Sequence, residues 1–335
     1  MNTINTTTIN GDMTLNEWMD YLMSSERILS ARRNTIRNLK ERYKHNIQEI
    51  LGEKILSKIT PLECQEVLNK MYEQGYAATT MSLTRSVMHN IFENALGYNI
   101  ISINPVTRFV KCPFRPKNTQ VVLSMSEHTK LIDYLNNNDF IYACQVRFIL
   151  QTGLRIGELI ALKWEDVDFN KRKIHIRATM EYVPALERFV RSEPKSYSGK
   201  RTIDLTTEAI NCLQVHYLKD VKFIGTEFGD FVFLNDSGKP IKLTTYDQGL
   251  RRLAKRCGIK TFSMHALRRT FATRCAESGM MANILQAVMG HSDISTTLRY
   301  YVKATDEQTA IELGRFDDYM KNAIQFPQPF MGARI

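Results

Sequence analysis

The chain has 335 residues, 43% of them hydrophobic, and its 45 lysines and arginines exceed its 35 acidic residues to give a formal net charge of +10. That length accommodates two domains of ordinary size, and the charge favours an anionic partner, most simply nucleic acid, over an acidic small molecule. Cys64, Cys112, Cys144, Cys212, Cys257 and Cys275 form no CxxC and no His-Cys cluster, so neither a zinc site nor a disulfide framework is signalled; with no spanning-length apolar run and no hydrophobic signal core, reduced thiols, a cytoplasmic location and no membrane are expected.

Residues 1–13 are rich in Asn and Thr and are expected to be disordered. Thr14 followed three residues later by Glu17 makes a capping box for a first helix, with Leu15, Trp18, Met19 and Leu22 on one face. A second helix is predicted over residues 30–51, where Ile36, Leu39, Tyr43, Ile47 and Ile50 recur at helical spacing. Its other face carries Arg32, Arg33, Arg37, Lys40 and Lys44, which reads either as solvated surface or as a face for phosphates. Thr60-Pro61 starts a third helix to about residue 74, and Thr79 or Thr80 caps a fourth through residue 96. Residues 14–104 thus read as an all-helical domain. Residues 105–122, with Pro105, Pro113, Pro116, Arg108, Lys111, Arg115 and Lys117, read as a basic linker kept extended by its prolines, suited either to a path along DNA or to an ordinary interdomain role.

Residues 123–304 read as a second, mixed domain. Helices are predicted over 124–136, 140–151, 207–221 and 245–257, and Ile174 and Ile176 alternate with polar residues in a strand over 173–179. Short strands over 187–194 and 201–205 flank a turn from Lys195 to Lys200, and residues 231–234 form an apolar extended piece. A helix from His265 stops at Gly279, and a short one over 283–289 ends at Gly290 with His291 directly after it. Residues 305–335 read as an amphipathic helix, 306–324 with Ala310, Leu313 and Phe316 apolar, followed by a tail. The expected class is mainly α with a small antiparallel β-sheet (α+β).

The chemistry concentrates between His265 and Tyr301. His265 and Arg268 stand three apart on one helix and can face the same way. Two histidines, an arginine and a tyrosine fit a site that grips a phosphodiester and attacks it: guanidinium binds phosphate oxygens bidentately, imidazole donates hydrogen bonds, and a phenol can be a covalent nucleophile.

Four stretches in order, TGLRIGEL from Thr152, PKSYSGKRTIDL from Pro194, HALRRT from His265 and MGHSDISTTLRYY from Met289, resemble the tyrosine recombinase (lambda-type phage integrase) family. The resemblance runs from about Thr14 to Met320. It implies a helical, SAM-like core-binding domain that clamps DNA, followed by a mixed α/β catalytic domain. It implies that Arg155 and Arg268 grip the scissile phosphate, that His265 and His291 donate to it, that Lys195 protonates the leaving 5′-oxygen with Lys200 as the competing candidate, and that Glu158 orients an arginine. The family's spacing of nine residues from the second histidine, here His291, implies Tyr300 rather than Tyr301 as nucleophile. Arg269 points away on the helix and reads as a DNA-backbone contact or a structural residue. The implied activity is site-specific strand exchange through a 3′-phosphotyrosyl intermediate and a Holliday junction, with no metal and no cofactor. Double-stranded DNA, a homo-tetramer on paired sites docked in trans through the terminal helix, and a directionality factor or host DNA-bending protein are the implied partners. A dimer-resolving recombinase of the same chemistry and a non-catalytic DNA-binding protein are the alternatives. Many relatives carry an arm-binding domain ahead of the core-binding domain; here about a dozen polar residues precede Thr14.

Overall fold

The structure, a computed structural model, describes residues 11–25, 33–116, 121–194, 197–301 and 306–323. Contacts divide the chain into two compact units, Met1–Thr119 and Gln120–Ile335.

In the first unit, α1 (Leu15–Ser24) starts at Thr14 with the expected box: the Thr14 hydroxyl accepts from the Glu17 amide, and the Glu17 carboxylate accepts from the Thr14 amide. Thr60 and Glu63 repeat the device at α4 (Pro61–Glu73). Between them lie α2 (Arg33–Arg42), a π-helical turn (Tyr43–Ile47) and α3 (Gln48–Leu51). Leu39, Tyr43, Ile47 and Leu51 are all buried. A strict four-residue spacing drifts by about 40° per step on an α-helix, and the wider π turn in the middle brings these side chains back over one another. The 20-residue α5 (Ala78–Gly97) completes the bundle; the fully buried Trp18 indole donates to the Ile91 carbonyl at 3.2 Å.

The stretch expected as an extended basic linker packs on this unit as far as it is described. Val106 and Val110 lie in its core. Arg85 donates to the carbonyls of Thr107 and Val110, and Gln65 makes both hydrogen bonds with the Lys111 backbone. Arg115 donates to the Tyr72 carbonyl and stacks over its ring. Helical structure ends as expected, but packing runs on to Arg115.

The second unit opens with α6 (Met125–Asn137), α7 (Ala143–Thr152) and α8 (Ile156–Ala161). Then come β1 (Val167–Asp168), β2 (Lys173–Ile176), β3 (Thr179–Val183), β4 (Arg188–Ser192) and β5 (Arg201–Asp204). They form an antiparallel sheet in the order β1-β2-β5 and a separate ribbon, β3-β4. The two strands expected on either side of the turn from Lys195 to Lys200 do not pair with each other: β4 pairs with β3, of which only Thr179 fell within a predicted strand, and β5 pairs with β2. Residues 231–234 contribute only isolated bridges, Lys163 with Phe231 and Leu234 with Pro240. The helices α9 (Thr207–Asp220), α10 (Leu243–Cys257), α11 (Met264–Glu277), α12 (Ala282–Met289), α13 (Ile294–Leu298) and α14 (Asp306–Ala323) follow. The fold is thus mainly α with small antiparallel sheets. No helix among the described residues is long and apolar enough to cross a membrane.

Helix α11 is the pillar of this unit. Leu267, Ala266 and Thr270 are fully buried, and the segment leading in from the first unit is tied to it: Leu123 donates to the Thr270 hydroxyl, and Arg274 donates to the Leu123 carbonyl at 2.7 Å. Arg269 joins this tie, its Nε donating to the Val121 carbonyl at 3.2 Å.

Candidate active site

Two helix ends build the site. Helix α7 ends at Gly153 and α12 at Gly290, both left-handed, with φ of 63° and 62°. No side chain fits at either. A Cβ on Gly153 would lie 2.3 Å from the Phe271 ring, and one on Gly290 would lie 2.8 Å from both Arg201 Nη1 and the Ser198 carbonyl. These glycines turn their carbonyls, and those just before Gly290, toward a cluster of guanidinium groups.

The last carbonyls of a helix lack partners within it and sit at the negative end of its dipole. At α12 three arginines take them in succession. Arg201 Nε donates to Val288 O at 2.6 Å, Arg268 Nη2 to Met289 O at 2.7 Å, and Arg155 Nη2 to Gly290 O at 2.8 Å. Arg268 Nη1 also donates to Gly153 O at 2.6 Å, so it bridges both helix ends. At the centre is Glu158, 3% exposed. Its Oε1 accepts from Arg155 Nη1 at 2.7 Å and Arg201 Nη1 at 3.0 Å, its Oε2 from Arg201 Nη2 at 2.9 Å, and Arg268 Nη1 stands 4.0 Å away. Burial works to raise the Glu158 pKa, but the Arg201 hydrogen bonds and charge, then Arg155, outweigh it and hold the carboxyl below its usual range. Glu158 is therefore a carboxylate. Arg268 is nearly buried; desolvation first, and then Arg155, pull its pKa down to about 9, still charged at neutral pH. Arg155 is the open one, with a side chain 37% exposed.

His291 leaves directly from Gly290. Its Nδ1 is 2.9 Å from the hydroxyl of Thr297, a fully buried residue of α13. Desolvation, then Arg268, Arg155 and Arg201, lower its pKa to about 4, which makes it a neutral imidazole at physiological pH. His265, exposed one turn before Arg268, is also held below its ordinary pKa by desolvation and then by Arg269, Arg268 and Arg155. A neutral ring keeps one N–H to donate and one nitrogen to accept.

Tyr300 follows α13, half-buried against the small cluster of Ala272, Cys275, Leu285 and Met289, and its charge would be felt by Arg268. Tyr301 donates its hydroxyl to the Met280 carbonyl at 2.5 Å. The two tyrosines thus differ: the Tyr301 phenol is committed to a backbone carbonyl, whereas Tyr300 lies within electrostatic reach of Arg268.

The structure therefore gathers Arg155, Glu158, His265, Arg268, His291 and Tyr300 around the end of α12. Lys195 lies outside the described residues; Lys200 pairs with Glu193 at 2.9 Å in an exposed bridge. In the first unit Arg37, Lys40 and Lys44 are exposed, while Arg32 and the Arg33 side chain lie outside what is described. Arg201 and Thr297 were not anticipated; Arg201 follows the SGK turn, but nothing local marks it as facing a buried carboxylate 43 positions away.

Among known proteins, the signature of the phage integrase family matches residues 122–308, and that of the phage integrase N-terminal SAM-like domain matches residues 14–72. The chain belongs to the phage integrase family. It is a tyrosine-type site-specific recombinase. Relatives of the recombinase include the tyrosine recombinase XerC-like protein of Caldanaerobacter subterraneus subsp. tengcongensis, 26% identical over 89% of this chain and 81% of that protein. The transposase from transposon Tn916 of Enterococcus faecalis is 27% identical over 80% of this chain and 69% of its own. The Tn1549 transposon integrase in complex with transposon right end DNA matches at a TM-score of 0.80 and 25% identity, covering 91% of this chain and 100% of that one. A lambda integrase dimer bound to a COC′ core site shares the fold, with a TM-score of 0.65 and 19% identity.

Proposed function

We propose that this recombinase moves or excises a mobile DNA element, cutting duplex DNA with Tyr300 as nucleophile. The observation that carries the chemistry is the arginine cluster at the end of α12, where Arg155 and Arg268 are fixed by Gly290, Met289, Gly153 and Glu158 beside His291 and Tyr300. A phosphodiester under attack passes through a five-coordinate state with an added negative charge, and guanidinium forks already held in place stabilise that charge without reorganising. Neutral His265 and His291 each have an N–H to offer a nonbridging oxygen, and either can accept a proton in return.

Tyr300 gives up its proton as it attacks, and positive charge beside the phenol favours that loss. The new bond joins Tyr300 Oη to phosphorus; the P–O5′ bond breaks, and Lys195 delivers the proton to the departing 5′-oxygen. The phosphotyrosyl link conserves the phosphodiester's energy, so a 5′-hydroxyl from another strand reverses the step without ATP. The DNA-bound Tn1549 integrase and the Tn916 transposase support the mobile-element reading. The XerC-like relative supports the second reading, resolution of replicon dimers by the same chemistry. Strand exchange would take place in the cytoplasm on two paired sites within a tetramer, with a directionality factor or host DNA-bending protein choosing between integration and excision. Exposed Arg37, Lys40 and Lys44 of the first unit are the proposed phosphate contacts beyond the cleavage site.

Covalent capture tests this. Nicked duplexes with a randomised core would be incubated with the protein in EDTA without nucleotide, denatured, and the trapped DNA sequenced. A denaturation-stable adduct enriched for one sequence is expected; binding without any adduct would leave a DNA-binding protein without catalysis, and strict dependence on a divalent metal would overturn the mechanism.

A further inference from the structure

Glu158 poses an electrostatic difficulty. A buried carboxylate orients Arg155 and neighbours Arg268, and alone it would cancel one of the two positive charges a phosphate needs. Arg201 is the third cation. Its side chain is 7% exposed, and its fork grips both Glu158 oxygens at 3.0 and 2.9 Å. Its Nε holds Val288 O at 2.6 Å, the first of the three carbonyls capped at the end of α12, and its Nη1 reaches Gly199 O at 3.3 Å. Being buried, Arg201 is not the group that meets DNA; Arg155 is the exposed one.

We infer that Arg201 is a positioning residue for the phosphate-binding site: it neutralises Glu158, so that this carboxylate can orient Arg155 without draining the site's charge, and it fixes the turn from which His291 departs. Three guanidinium groups against one carboxylate leave two net positive charges beside the phosphate. Without Arg201 the same site holds one, and Glu158 has only Arg155 and the more distant Arg268 to turn to. A lysine there would keep the charge but lose the planar fork that satisfies both carboxylate oxygens and Val288 O together. This rests on the proposed reading of the site as one that cleaves DNA.

The test measures single-turnover cleavage of the duplex selected by covalent capture on the unaltered protein, at saturating protein, with the thermal unfolding midpoint recorded for each variant. Arg201→Met should slow adduct formation about 10- to 100-fold, the usual cost of removing a partner one layer behind reacting groups. Arg201→Lys should fall between that variant and the unaltered protein. The decisive variant is Arg201→Met with Glu158→Gln, which returns the net charge to two and should recover most of the lost rate. If Arg201 merely held the fold, removing a second buried hydrogen-bonding group would make matters worse. A double variant as slow as or slower than Arg201→Met, or an Arg201→Met that cleaves at the normal rate, would overturn the inference while cleavage by the unaltered protein still stood. An unaltered protein that forms no adduct would sink the reading beneath it.

Discussion

Three consecutive carbonyls at the end of α12 connect individual residues to chemistry, because the arginines that cap them also surround His291 and Glu158. His291 gives a direct check on that environment. Its pKa is lowered to about 4 by desolvation and then by Arg268, Arg155 and Arg201, so NMR of its ring in the free protein should show a neutral imidazole down to about pH 5. A midpoint at the ordinary value of about 6.5 would contradict this crowding of positive charge around the ring. The sign for stability follows: as pH falls below about 6.5 the unfolded chain takes up this proton first, so the contribution of neutral His291 is fully present above that pH and is lost as pH falls through about 4. Lys195 calls for a kinetic check. As the general acid it should matter less when the 5′-leaving group is a thiolate, which departs without a proton. Lys195→Ala is expected to slow cleavage of ordinary DNA far more than of a 5′-phosphorothiolate substrate, and equal slowing on both would point to Lys200 or to a structural role. Arg155 and His291 stood out in the sequence because each lies just after a glycine, and Arg268 because it stands three residues after His265 on one helix, while the roles proposed for them came from the family resemblance. Arg201 did not stand out, since its importance arises only when β5 is brought against Glu158.

At the scale of elements, the helices with boxes were the most legible. Thr14 with Glu17, Thr60 with Glu63 and Ser124 with Glu127 each start a helix by hydrogen bonds within four residues, so tertiary structure had little to add. The strands were less so. Whether β4 pairs with β3 or β5 is decided by partners, and the π turn at Tyr43–Ile47 answers a packing demand that no local propensity expresses. Helix α14 has Leu313, Phe316 and Tyr319 at three-residue intervals, 63%, 59% and 68% exposed. Such a row on a terminal helix is stabilised when another surface covers it. A neighbouring subunit in a closed ring is the proposed cover. Removal of residues 306–335 should leave binding to a single site detectable in a gel-shift assay while abolishing the paired complex and recombination; recombination at the normal rate by the shortened protein would refute docking in trans.

At the scale of the whole molecule, two compact units and a net charge of +10 suit a protein that holds a polyanion. The unit boundary at residues 119 and 120 falls later than the end of helical structure suggested, because Val106, Val110 and the hydrogen bonds from Arg85 and Gln65 keep the proline-containing stretch on the first unit. Tyr301 spends its hydroxyl on Met280 O, whereas Tyr300 neighbours Arg268. The most direct measurement is therefore peptide mapping of the trapped protein–DNA adduct by mass spectrometry after nuclease trimming. A nucleotide remnant on Tyr300, absent in Tyr300→Phe and retained in Tyr301→Phe, is the predicted result; a remnant on Tyr301, or an adduct that survives in Tyr300→Phe, would contradict it.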